Sequence, residues 1–162
     1  MTEFRGKRVT HEYTQTNAAS PAEVFPLLCP VRETDWVPGW QYRMIYSLSG
    51  AAEADCVFTT PNEDGSETIW TVTEYDPTAL RVAFAWVNPG WVAARIRISL
   101  VGNSRGTTDA SICYFYTGLS EAGNREVERY NQDWFAHKMQ SWEEAINYYL
   151  RTGKLLDAAE WE

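Results

Sequence analysis

The chain has 162 residues, 44% of them hydrophobic, and a formal net charge of −8. It is too apolar for disorder and long enough to bury a core of its own, so one domain over 1–162 is expected, its core at about 8–153. The negative balance, with no run of Lys or Arg, argues against a nucleic-acid partner and against attraction to an anionic membrane.

Along the chain, residues 8–16 alternate Val9, His11, Tyr13 and Gln15 against Thr10, Glu12, Thr14 and Thr16, the pattern of a strand. Ser20-Pro21-Ala22-Glu23 supplies an N-cap, a proline at the first helical position and a glutamate at the third. A short helix follows, with Val24, Phe25, Leu27 and Leu28 inward. Pro26 limits it, and a second helical turn or loop spans Pro30 to Trp36. Trp36-Val37-Pro38-Gly39-Trp40 reads as a turn between large aromatics. Strands are predicted at 41–48, 55–60, 67–76, 79–87, 92–101 and 107–117. Turn residues join them at Asn62–Gly65, Asp76-Pro77, Asn88–Gly90 and Gly102–Gly106, and such short links imply antiparallel hairpins. A cap at Ser120-Glu121 and a turn at Gly123-Asn124 then lead into one helix from about Arg125 to Arg151. Its apolar stripe includes Val127, Tyr130, Trp134, Phe135, Met139, Trp142 and Ile146, and its length is on the order of 40 Å. The tail Leu155–Glu162 is expected to fray.

Alternation assigns faces. On 92–101, Val92, Ala94, Ile96, Ile98 and Leu100 are predicted inward and Arg95 and Arg97 outward. Ile112, Tyr114 and Tyr116 are placed inward on 107–117. Leu80, Val82, Phe84 and Trp86 form the inner set of 79–87, and Tyr42, Met44, Tyr46 and Leu48 that of 41–48. On 67–76 the pairs Trp70/Val72 and Ile69/Tyr75 compete, and periodicity alone does not separate them.

The segment Ala18-Ala19-Ser20-Pro21-Ala22-Glu23-Val24-Phe25-Pro26-Leu27-Leu28 resembles the first helix of START-like proteins, the SRPBCC superfamily. That superfamily also holds birch-pollen-allergen-like and polyketide cyclase/dehydratase-like proteins. Trp36–Trp40, Cys56–Thr60, Glu74–Pro77 and Tyr114–Ser120 look like blocks of one of its bacterial branches. The resemblance runs from about residue 9 to 153. It implies an α+β helix-grip fold: a seven-stranded antiparallel sheet curved around a long C-terminal helix, with short helices after strand 1. It also implies a hydrophobic cavity between sheet and helix. It implies no reaction, because one fold carries many functions.

Chemistry-bearing motifs are sparse. Cys29, Cys56 and Cys113 are isolated, read as reduced thiols, and with the absence of an apolar leader suggest a cytoplasmic protein. His11 and His137 are the histidines. Asp133 lies four residues before His137, too few ligands for a metal site, and no metal or cofactor is expected. Nucleophile elbows and phosphate loops are missing. Candidates for acid–base work are Glu74, Tyr114, Tyr116 and His137, and none is singled out as catalytic. The expected ligand-binding set is Tyr42, Met44, Phe84, Trp86, Ile96, Ile98, Tyr114, Tyr116, Trp134 and Met139. It serves a small hydrophobic or amphipathic molecule, lipid-like or aromatic. The alternatives are a cyclase/dehydratase-like enzyme using a pocket tyrosine or carboxylate, and a protein-interaction or chaperone-cofactor module. No membrane insertion is expected. Trp91 and Phe115, if outward, suggest a homodimer face.

Overall fold

The computed structural model describes residues 2–160. Among them seven strands form one antiparallel sheet: β1 (Arg8–Asn17), β2 (Arg43–Tyr46), β3 (Val57–Pro61), β4 (Glu67–Asp76), β5 (Arg81–Asn88), β6 (Val92–Gly102) and β7 (Thr108–Gly118). The spatial order is β1-β7-β6-β5-β4-β3-β2. Every link except the long return from β7 to β1 joins sequence neighbours, as the short turns require. Two short helices, α1 (Pro21–Val24) and α2 (Pro30–Trp36), follow β1 with a 3-10 turn at Phe25–Leu27 between them. The C-terminal part holds α3 (Glu121–Arg129) and α4 (Gln132–Thr152).

The sequence predicted one C-terminal helix, and the structure has two. Ser120 accepts a hydrogen bond from the Gly123 amide at 3.0 Å and starts α3, so Gly123 and Asn124 lie inside a helix and not in a turn. Packing dictates the glycine: a Cβ there would come within 1.7 Å of the Trp91 carbonyl oxygen. At Tyr130 the backbone leaves helical geometry, and Asn131 restarts it, its Oδ1 accepting from the Trp134 amide at 2.8 Å. An Asn that caps so well competes with helix continuation. α4 ends at Gly153, whose φ of 69° gives the left-handed C-cap. In the tail expected to fray, Leu156 is buried in the core, while 161–162 lie outside the described residues.

Bulges account for the other departures. In β4 the register shifts between Val72 and Glu74. The extra residue reverses the parity, so Trp70 and Val72 face inward before the bulge and Tyr75 faces inward after it, packing on Phe25 at 5.4 Å. Ile69 is outward. In β2 the shift between Met44 and Tyr46 turns Tyr46 to solvent, and the strand ends before Leu48, which is 83% exposed. The predicted inward placement of Tyr46 and Leu48 is therefore wrong. The inner sets of β6 and β7 are buried as predicted.

Nothing in α4 is long and apolar enough to cross a membrane, and the same holds for the other described helices. The three cysteines are free. Phe115 lies under the Arg97 guanidinium, 5.0 Å from its ring centroid, and is half-buried. Trp91 is exposed.

Candidate functional site

The concave face of the sheet is paved with rings. Phe58 stacks on Trp70 at 5.4 Å, Trp70 meets Phe84 and Trp86 at 6.2 and 6.1 Å, and Trp86 meets Tyr116 at 6.2 Å. These contacts follow from register, since Phe58, Trp70 and Trp86 sit opposite one another across β3, β4 and β5. The α4 backbone approaches β1 and α2, and rings fill the distance to the rest of the sheet.

Two polar groups interrupt this apolar lining. The first is Glu33 on α2, only 7% exposed. Its carboxyl accepts no hydrogen bond and no ion pair among the described residues. It borders an internal cavity of about 20 Å³, with Leu28, Trp40, Phe58, Trp70, Phe84, Ile96, Ile98, Tyr114 and Trp142. Such a space holds roughly one water. Burial alone pushes the carboxyl up to about 8, so it is protonated at neutral pH and offers one O–H donor and one acceptor. Burial also pushes the Tyr114 phenol up, and the nearby Glu33 charge adds to that shift. The Trp36, Trp40 and Trp70 indoles donate to Leu27 O, Pro30 O and Thr60 Oγ1 at 2.9, 2.8 and 3.0 Å, which leaves ring faces for the interior.

The second is Lys138 on α4. Its Nζ lies 5.1, 5.3 and 5.9 Å from the ring centroids of Tyr114, Trp134 and Tyr116, and 3.5 Å from the Tyr116 hydroxyl. Loss of water around the amine lowers it to about 8. Tyr130 stacks on Trp134 at 4.2 Å and completes this cluster. Burial first, then Glu126, pushes the Tyr130 phenol up to about 12. His11 holds the junction between the helices: its ring stacks on Phe135 at 5.2 Å, one nitrogen meets the Tyr130 carbonyl and the other lies 3.0 Å from Gln132 Oε1.

Of the residues expected to bind ligand, Phe84, Ile96, Ile98 and Tyr114 border the cavity. Trp86, Tyr116 and Trp134 belong to the neighbouring aromatic cluster, which reaches Lys138 through Tyr116 and Trp134. Met139 is fully buried under α4, while Tyr42 and Met44 are half-buried near the β2 edge, away from the cavity. Sequence reasoning missed Glu33, Trp40, Phe58, Trp70 and Trp142 as cavity lining. Lys138 was visible only as part of the stripe edge shared with Tyr130 and Trp134. Glu74 is exposed and pairs with Arg81 at 3.4 Å, and Asp133 and His137 are both exposed on α4. Among the described residues no group of three or more His, Cys, Asp or Glu is placed to hold a metal.

No protein-family model matches the chain, and no curated protein matches it. Solved structures do. Ara h 8.0201 superposes with a TM-score of 0.63 at 13% identity, over 90% of this chain and 99% of that one. Norcoclaurine synthase from Thalictrum flavum, in complex with dopamine and hydroxybenzaldehyde, gives 0.63 at 15%, over 93% and 89%. DynU16, a protein of the dynemicin biosynthetic locus, gives 0.58 at 18%, over 90% of this chain and 48% of its own length. The fold is the helix-grip fold of these structures. In this helix-grip chain the grip lies between the concave sheet and α4, with the buried Glu33 and the half-buried Lys138 beside it.

Proposed function

We propose that this chain binds a small, flat, amphipathic molecule between the concave sheet and α4, with Glu33 as the group that orients it. The unpartnered Glu33 carboxyl carries the reading. A carboxyl as deeply buried as this, 7% exposed and without a protein hydrogen bond, costs a folded chain on the order of 1–3 kcal/mol. A core selected for packing alone has no use for that cost, whereas a ligand hydroxyl, carbonyl or amine would offset it. The cavity of about 20 Å³ admits no such ligand as it stands, so entry requires Trp40, Trp70 or Trp142, all half-buried, to swing aside. An aromatic lining with the Glu33 carboxyl and the Tyr114 hydroxyl suits an aromatic ligand with one polar end better than a long lipid. Norcoclaurine synthase, of the same fold, holds two such molecules, dopamine and hydroxybenzaldehyde.

Native mass spectrometry of the purified chain, followed by denaturation and identification of released compounds, tests this. A stoichiometric aromatic compound that Glu33→Leu fails to retain is the expected result. An apo mass, together with no tryptophan quenching by a panel of phenols, would overturn the reading.

A second reading is an enzyme of proton transfer, as in cyclases and dehydratases. Glu33 favours it, because a carboxyl held near 8 by burial can donate and accept a proton at neutral pH. Turnover lost in Glu33→Gln with ligand affinity retained would separate catalyst from carrier.

A further inference from the structure

Lys138 is an amine whose charge has no counterpart. The chain has three lysines, Lys7, Lys138 and Lys154. Lys7 pairs with Glu128, and Lys154 is exposed on the tail. Around Lys138, among the described residues, no carboxylate oxygen lies within ion-pairing distance. Its one polar neighbour is the Tyr116 hydroxyl at 3.5 Å, and the rings of Tyr114, Trp134 and Tyr116 surround the rest. A cation held only for packing on rings is more often arginine, which stacks flat and stays charged. A lysine in a water-poor aromatic setting is a nucleophile in waiting.

We propose that Lys138 captures a flat aromatic aldehyde as an imine among the rings that surround its amine beside α4. The inference rests on the pocket reading, because those rings must part to admit the aldehyde as the cavity rings must. Access is short: Trp134 is 37% exposed and Tyr130 half-buried, so one wall of the cluster meets solvent. The rings that surround the amine are also the surface on which an aromatic aldehyde stacks. The nitrogen lone pair adds to the carbonyl carbon and gives a carbinolamine. The two amine protons then leave with the carbonyl oxygen as one water, and a C=N bond remains. Nothing is oxidised or reduced. With the amine lowered to about 8, about a tenth of it is neutral and reactive at pH 7.

The test uses the full chain with benzaldehyde and sodium cyanoborohydride at pH 7, and peptide mapping by mass spectrometry. Lys138 should acquire the benzyl adduct at least about tenfold faster than Lys7 or Lys154. Lys138→Arg, which keeps the cation and cannot form the imine, should lose the fast adduct with an unchanged circular dichroism spectrum. Lys138→Met serves if the arginine variant does not fold. Labelling of Lys138 no faster than of Lys154 overturns the proposal. Benzyl alcohol, which binds but cannot condense, is titrated in parallel by tryptophan fluorescence. Its binding without a fast adduct removes the imine and leaves the pocket. No binding and no adduct removes both.

Discussion

The two halves of the sheet are built differently. On β6 and β7 the inner face is mostly aliphatic, with Ile96, Ile98, Leu100 and Ile112 beside two rings, Tyr114 and Tyr116, all buried. Across β3 to β5 four large rings pave the inner face, with Phe58, Phe84 and Trp86 each in contact with Trp70. The Glu33 carboxyl opens on a cavity that both halves line, Ile96, Ile98 and Tyr114 from one and Phe58, Trp70 and Phe84 from the other. The same layer thus carries an aliphatic stretch and a ring-paved one, and the ionisable groups Glu33 and Lys138 lie against rings.

Adjacent residues on α4 give the sharpest way to break this contrast. Phe135 is fully buried and meets both His11 and Tyr114, so Phe135→Ala should cost about 3–5 kcal/mol in urea unfolding. Equal losses for Trp134→Ala would erase the distinction. Next is Glu33→Gln. The folded carboxyl holds its proton up to about 8 while the unfolded one releases it near 4.5, so the wild-type chain loses stability as pH rises between those values. The glutamine variant should flatten that slope and gain about 2–4 kcal/mol over wild type at pH 8 relative to pH 4. A wild-type stability independent of pH across this range would show that the carboxyl is solvated. Trp134→Ala itself should cost only about 1–2 kcal/mol, because the ring is already 37% exposed and mainly loses its stack on Tyr130. Smallest is Lys138→Met. Relief of desolvation, bounded at ~3 kcal/mol by the amine's shift to about 8, is opposed by ~1–2 kcal/mol of lost cation–π attraction. A net gain of about 1 kcal/mol at pH 7 is expected, shrinking above pH 8 as the folded amine deprotonates. A large loss in thermal melts would mean that the lysine is a structural cation.

Strand identity, order and the inner faces of β6 and β7 were legible because alternation there is unbroken. The bulges in β2 and β4 were not, since an inserted residue leaves no mark in period-two patterning until the partner strand sets the register. That is why Tyr46 and Leu48 were misplaced and Trp70 and Tyr75 seemed to compete. The break at Asn131 carried a signal: an Asn inside a helical stripe, three residues before Trp134, is a cap as readily as a helical residue. Glu33 carried almost none. An acid in the first turn of a short helix reads as a surface group, and only the packing of α2 against α4 and the sheet buries it. Lys138 was the better clue, a charge at four-residue spacing between Trp134 and Trp142.

The long return from β7 to β1 has a consequence for synthesis. Arg8 pairs with Thr117, Lys7 donates its backbone amide to Asn124 Oδ1 at 2.8 Å, and the two ends of that bond are 117 residues apart. Of these seven strands β1 is made first and paired last, and until β7 emerges it waits as an unpaired edge. A chain with such distant pairings folds slowly. Its hazard is therefore one of timing: β1 depends on the nascent chain remaining apart from its neighbours while the other six strands zip together.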